Sequence, residues 1–294
     1  MATNKALIVL QENSGKIDLP EDIDPSLASA ITAIIDQIAE TFEDIKTSLQ
    51  SMGKYDVVHL LTDTNCTRTK LLNALVTETI KGRTIDLIVL GHGNVDTLCL
   101  HGSEILTGGD SGNIRTLLSD AMEILNTKSS EEITLKEKRI GKLVIGSPLV
   151  IPARQREYKK INLRMVYMCN CYGSTLNEDW IAIGAEVSVS SRQNDYMPEP
   201  MTTFFIHNWL AGQTAEDAAK NAYEATIPFY LAVYPPTSRI TYSTQTFQYP
   251  CPTWDNLLKM CTGSVKVPTG VEFIPHNHVK QSELIVSGNK ECHY

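Results

Sequence analysis

Residues 163–174 read LRMVYMCNCYGS, an apolar run that ends in two cysteines one residue apart. Leu163 to Met168 has the length and composition of a strand buried on both faces. The Cys-Asn-Cys-Tyr-Gly-Ser that follows is small, polar and turn-prone, so the strand stops there. Strands of this kind belong to parallel sheets covered by helices on each side. Three readings of the cysteines are open at this point: inert buried thiols, a metal-ligand pair, or a catalytic nucleophile.

Working outward, the chain alternates strand and helix signals. Ala6–Leu10 is strand-like, and Pro25 to Met52 carries a helical pattern (Ile31, Ile34, Ile35, Ile38, Ile45, Leu49) ended by Gly53. Tyr55–Leu61 is a second strand and Thr67–Ile80 a helix stopped by Gly82. Ile85–Leu90 is a third strand, broken by Gly91-His92-Gly93. A short hairpin around Leu98–Leu106 and a helix at Ile114–Leu125 follow. Residues 126–162 are charged and irregular, apart from a hairpin pattern at Leu143–Ile151, and read as an exposed insertion. After the 163–168 strand come a helix at Asn177–Ile183, a strand at Glu186–Ser191, and helices at Thr202–Leu210 and Ala215–Thr226. Thr214 and Asp217 have capping-box spacing before the last of these.

This alternation predicts an α/β fold: a mostly parallel central sheet with helices on both faces. Residues 1–236 form the main domain. Beyond Pro235-Pro236 the chain becomes Thr/Tyr-rich and punctuated by Gly and Pro, and 237–294 reads as an extension packed on the core.

Composition narrows the function. A net charge of −8 over 294 residues, with no cluster of Lys and Arg, argues against nucleic acid as a partner. No apolar segment is long enough to span a bilayer, and Ala6–Leu10 is too short for a signal peptide. Seven cysteines without framework spacing read as reduced thiols, so a cytoplasmic location is expected. The sequence does not encode the oligomeric state.

In an open parallel sheet, ligands bind beyond the carboxyl ends of the strands. Two strands here end in residues suited to catalysis: DLIVLGHGN delivers His92 and LRMVYMCNC delivers Cys171. On adjacent strands, about 4.8 Å apart, their side chains could cooperate. Thiol and imidazole suit acyl transfer, because His can manage the thiol proton and then protonate the leaving amine. Gly93 lets the backbone approach a substrate carbonyl as an oxyanion donor must.

These blocks, IVLGHG and VYMCNCYGS, resemble those of the caspase-like cysteine peptidases, the group containing caspases, metacaspases, legumains, clostripain and gingipains. DTLCLHGSEIL is similar to the hairpin that often follows His-Gly there. GAEVSVSSR and FFIHNWLAGQTAEDAAKNA are similar to the next strand and closing helices. The resemblance spans roughly residues 5–235 and implies a caspase-like three-layer sandwich and a cysteine endopeptidase acting on protein or peptide substrates. It makes His92 and Cys171 the dyad and the N–H groups of Gly93 and Cys171 the oxyanion hole. No cofactor is implied, and nothing in the sequence registers the calcium that activates some members.

The sequence departs from the group in places. His92 and Cys171 are 79 residues apart, against about 50 in caspases, and 126–162 accounts for the excess. The position two before the nucleophile, which often shapes the specificity pocket, is Cys169. Arg192 sits where caspases carry an Arg that binds an acidic side chain, whereas Asp195 would favour a basic one.

Less specific readings compete. Free cysteines are usually buried and inert. A metal site built from Cys169, Cys171 and His92, or from His276 and His278, lacks the second half that zinc spacing requires, so no metal is expected, and His276-x-His278 reads as a solvated loop. GGDSGN at 108–113 lacks a phosphate-loop Lys and reads as a loop. The competing functional class is a caspase-like pseudoenzyme or regulatory binding module without turnover.

Overall fold

Strand alternation sorts the side chains into two layers. A computed structural model describes residues 4–12, 53–125, 160–195, 198–233, 241–250, 260–269 and 276–294. In β1 (Lys5–Gln11), Ala6, Ile8 and Leu10 join one buried cluster while Leu7 and Val9 join another. The same division runs through β3 (Thr84–Leu90), where Leu87 and Val89 lie opposite Ile88. Both faces of the sheet are therefore covered, as continuous apolar runs require.

The central sheet has six strands, in the order Leu284–Gly288 (β11), Val187–Ser191 (β8), Leu163–Cys169 (β7), β3, β1 and Val57–Thr62 (β2). The four central and edge pairs among β2, β1, β3, β7 and β8 are parallel. One face carries α1 (Arg68–Ile80), α2 (residues 116–125) and α3 (Asn177–Ala182), through Leu71, Leu75, Leu117 and Trp180. The other carries α4 (Pro198–Leu210) and α5 (Ala215–Val233), through Phe205, Trp209, Ala218 and Ala222. This is the three-layer α/β sandwich with a mostly parallel sheet expected from the sequence.

The sixth strand, β11 (Leu284–Gly288), comes from the segment read as an extension and pairs antiparallel with β8, Leu284 opposite Ser191. The rest of that segment includes a two-stranded antiparallel ladder, β9 (Thr241–Pro250) with β10 (Met260–Thr269), and α6 (His276–Gln281). His276 and His278 thus belong to a helix and not to a loop. The short hairpin after β3 is a three-stranded sheet of β4 (Gly93–Asn94), β5 (Thr97–Cys99) and β6 (Ile105–Thr107).

Two helices are longer than their periodicity predicts. α4 starts at Pro198, because a proline in the first turn has no N–H bond to lose. α5 runs through Pro228, where a proline normally ends a helix. Two residues earlier, the Thr226 hydroxyl donates back to the Ala222 carbonyl at 2.8 Å. The Thr214 cap forms as expected, accepting the Asp217 N–H at 3.1 Å. The predicted helix at 25–52, the hairpin at 143–151 and nearly all of the 126–162 segment lie outside the described residues.

A charged pair is buried near the amino ends of the strands. The register of β3 on β7 shifts between Ile85 and Asp86, leaving Arg164 unmatched and re-aimed. Its guanidinium donates to both Asp86 oxygens, at 2.9 and 2.5 Å. The Tyr55 hydroxyl (2.7 Å) and the Trp209 indole N–H (3.2 Å) also donate to Oδ2. Burial works against the Arg164 charge, but the Asp86 carboxylate outweighs it and holds the guanidinium above its ordinary range.

Candidate active site

β3 and β7 are direct parallel neighbours, with Leu90 opposite Cys169, so His92 and Cys171 each follow a matched strand end by two residues. The chain after β3 stays paired for one more step, the Gly91 N–H donating to the Cys169 carbonyl at 3.3 Å. The His92 N–H then donates to Glu12 Oε2 at 3.0 Å. Glu12 immediately follows β1, so the strand on one side of β3 fixes the His92 backbone. The His92 side chain is exposed.

Beyond His92 the chain turns into the β4–β5 hairpin, with Asp96 in the left-handed region at φ 52°. The Cys99 N–H donates to the His92 carbonyl at 2.9 Å. Hydrogen-bonded and non-hydrogen-bonded positions alternate in an antiparallel pair, so Gly93, opposite Leu98, turns its N–H away from β5. Gly93 is also packed tightly. A Cβ there would lie 2.8 Å from the Cys171 carbonyl oxygen and 3.0 Å from that of Thr97, and would overlap Asn170 Nδ2. Only glycine lets these two loops approach so closely.

On the β7 side, Asn170 is buried and spans the junction. Its Nδ2 donates to the Cys171 carbonyl at 3.0 Å, and its own carbonyl accepts the Ser191 hydroxyl at 2.5 Å and the Gly173 N–H at 3.3 Å. Cys171 is half-buried, and its Sγ accepts the Asp195 N–H at 3.3 Å. Tyr172 reverses the chain in the left-handed region, φ 57°, uncommon for a bulky residue. It is pinned there by its N–H on the Gln193 carbonyl, 2.6 Å, and by Thr175, whose N–H and hydroxyl both donate to its carbonyl.

The specificity candidates separate. Cys169 is 6% exposed and packs in the core with Tyr167 and Val189. Arg192 is at the surface, where Nε (3.0 Å) and Nη2 (2.7 Å) both donate to Glu283 Oε2. Asp195 is the one brought to Cys171, through its main chain. In Cys99, in the hairpin, burial, and then the Glu12 charge, push the thiol up from 9.0, which disfavours its thiolate. Among the described residues no three His, Cys, Asp or Glu side chains converge to hold a metal ion. The 108–113 segment is a loop, as expected, tied down by Asp179, which accepts the Gly109 N–H at 3.0 Å and the Arg115 Nε–H at 2.5 Å.

Sequence reasoning missed Glu12, Asn170 and Glu283. The first two had a usable signal, one abutting a strand end and the other lying between the cysteines. Glu283 had none, because it reaches the site only through the pairing of β11.

No model of a known protein family matches the sequence, and no curated protein matches it. Among solved structures the chain is similar to a secreted C11 cysteine protease from Bacteroides thetaiotaomicron, in complex with an irreversible peptide inhibitor, at 11% identity and a TM-score of 0.40. The likeness covers 80% of this chain and 62% of that one, so this chain spans less than two thirds of its neighbour. No helix among the described residues is long and apolar enough to cross a membrane.

Proposed function

We propose that the chain is a cysteine endopeptidase acting through Cys171 and His92. Cys171 Sγ attacks the scissile carbonyl while His92 holds the thiol proton. His92 then delivers that proton to the departing amine, leaving an acyl-thioester. Water, deprotonated by the same imidazole, releases the acid and restores the thiol. The N–H groups of Gly93 and Cys171 receive the charge that develops on the carbonyl oxygen. The observation that carries this reading is the meeting of the two strand ends: Gly93 lies against the Cys171 carbonyl, and the two loops come from paired residues Leu90 and Cys169. Among the specificity candidates, Arg192 is already engaged by Glu283, which argues against an acidic-side-chain pocket built on it. Reduced thiols suit a cytoplasmic setting.

The test is a fluorogenic peptide library resolved by the residue before the scissile bond, run on wild type, Cys171→Ala and His92→Ala. Wild type cleaves, Cys171→Ala does not, and His92→Ala loses at least about 10²-fold. Turnover by Cys171→Ala would refute the assignment. A folded wild type that cleaves nothing in the library would leave the binding-module reading in its place.

A further inference from the structure

We propose that the main-chain N–H of Asp195 stabilises the thiolate of Cys171, and that Gln281, Ser282 and Glu283 are the positioning residues that keep it there. The inference rests on Cys171 being the reactive thiol. A thiolate is the nucleophilic form, and a hydrogen-bond donor aimed at the sulfur favours it over the thiol. The Asp195 N–H meets Cys171 Sγ at 3.3 Å.

Residue 195 lies four residues beyond the end of β8, where a loop would ordinarily be mobile. Here it is built into the sheet edge. The ladder between β8 and β11 ends formally at Ser191 and Leu284, yet the pairing continues past it. The Arg192 N–H donates to the Glu283 carbonyl at 2.8 Å and the Gln193 N–H to the Gln281 carbonyl at 2.7 Å. Side chains continue the clasp: Asn194 Nδ2 donates to Gln281 Oε1 at 3.0 Å, and the Ser282 hydroxyl donates to the Asn194 carbonyl at 3.0 Å. Arg192 closes it with its ion pair to Glu283. From the opposite side the Gln193 carbonyl accepts the Tyr172 N–H at 2.6 Å, and the Arg192 carbonyl accepts the Ser174 hydroxyl at 2.9 Å. Residues 192–194 are thus held between the turn after Cys171 and the lead-in to β11. Residue 195 is left with its N–H on the sulfur.

The titratable and charged groups on the elements that meet around Cys171 are His92 and Glu12 at the ends of β3 and β1, Asp96 and Cys99 in the β4–β5 hairpin, Tyr172 beside it, the Asp195 carboxylate, and the Arg192–Glu283 pair. The Asp195 side chain therefore has to be separated from its N–H in any test. Asp195→Ala removes the carboxylate and keeps the donor, and Asp195→Pro removes both.

The experiment measures iodoacetamide alkylation of the full chain against pH, with Cys171 and Cys99 followed separately by peptide mass mapping, and folding of each variant checked by thermal melt. Loss of a hydrogen bond to a charged group moves the Cys171 midpoint in Asp195→Pro up by about 1 pH unit relative to Asp195→Ala. The double variant Gln281→Ala/Ser282→Ala moves it in the same direction by less, while Cys99 keeps its midpoint in every variant. Coincident midpoints for the Pro and Ala variants would overturn the proposal. If Asp195→Pro does not fold, the double variant decides, and a wild-type midpoint in it overturns the proposal equally. The readout is the thiol and not turnover. A protein that cleaves no peptide but shows these shifts refutes the peptidase reading alone, and one that cleaves with unshifted midpoints refutes the clasp alone.

Discussion

Removing the Asp86 carboxylate exposes the cost of an unanswered buried charge. Asp86 is fully buried and accepts bonds from Arg164 twice, from Tyr55 and from Trp209. In Asp86→Ala the guanidinium of Arg164, a residue 8% exposed, is left without its counter-ion. Breaking a buried pair in this way costs about 3–5 kcal/mol, a large part of the roughly 5–15 kcal/mol that holds a domain folded. The two neutral donors add to the loss, but not additively, because all four bonds share one acceptor group. Urea unfolding at pH 7 should show a lower midpoint with an unchanged slope. The double variant Asp86→Leu/Arg164→Met should recover most of the loss, since two apolar side chains leave no orphaned charge. The network lies near the amino ends of the strands, opposite the candidate site. The folded fraction of Asp86→Ala should therefore alkylate Cys171 with the wild-type pH profile. A single-variant loss under about 1 kcal/mol, or a double variant no more stable than the single, would refute the reasoning.

Three further outcomes follow from contacts elsewhere. Gly93→Ala should destabilise by about 1–3 kcal/mol and abolish any peptide cleavage, because its methyl meets backbone oxygens of Cys171 and Thr97 that cannot move aside; unfolding curves and kinetics on one preparation check both. Asn177→Ala should cost about 2–3 kcal/mol in the same unfolding assay, since buried Ser188 and Ser190 both donate to its Oδ1 at 2.8 Å and its own Nδ2 donates to the Ile285 carbonyl at 3.2 Å. Burial, and then the Glu186 carboxylate, push the Cys292 thiol up to about 11 from 9.0. The unfolded chain therefore releases that proton first, so stability is fully present below pH 9 and declines as pH rises towards 11. Thermal melts across that range should fall less steeply for Cys292→Ala.

The strands that build the centre of the sheet could be read from the chain because burial on both faces removes the polar alternation and leaves runs such as ALIVL and DLIVL. The ends of β3 and β7 could be read for a related reason: a run that stops at Gly-His-Gly or Cys-Asn-Cys marks where the backbone leaves the sheet. What could not be read is pairing between distant segments. LIVSG at 284–288 is a weak strand signal, and nothing local says that it adds to β8. Asp86 and Arg164 each look like a lone charge in an apolar run, and only the neighbouring of β3 and β7 explains them as a pair. The passage of α5 through Pro228 is also a tertiary outcome, since local preference would stop the helix there.

The late position of β11 has a consequence for biosynthesis. Leu284 follows its partner Ser191 by 93 residues. At the usual pace of translation that is a delay of about 5–20 s. During that interval a nascent chain already carries Cys171 and His92, but the outer edge of β8 is open and residues 192–195 lack their clasp. An open strand edge invites pairing with another chain, so this is the window in which a chaperone would matter most. By the proposal above, it is also the window in which the Cys171 thiol, lacking its donor, is least reactive.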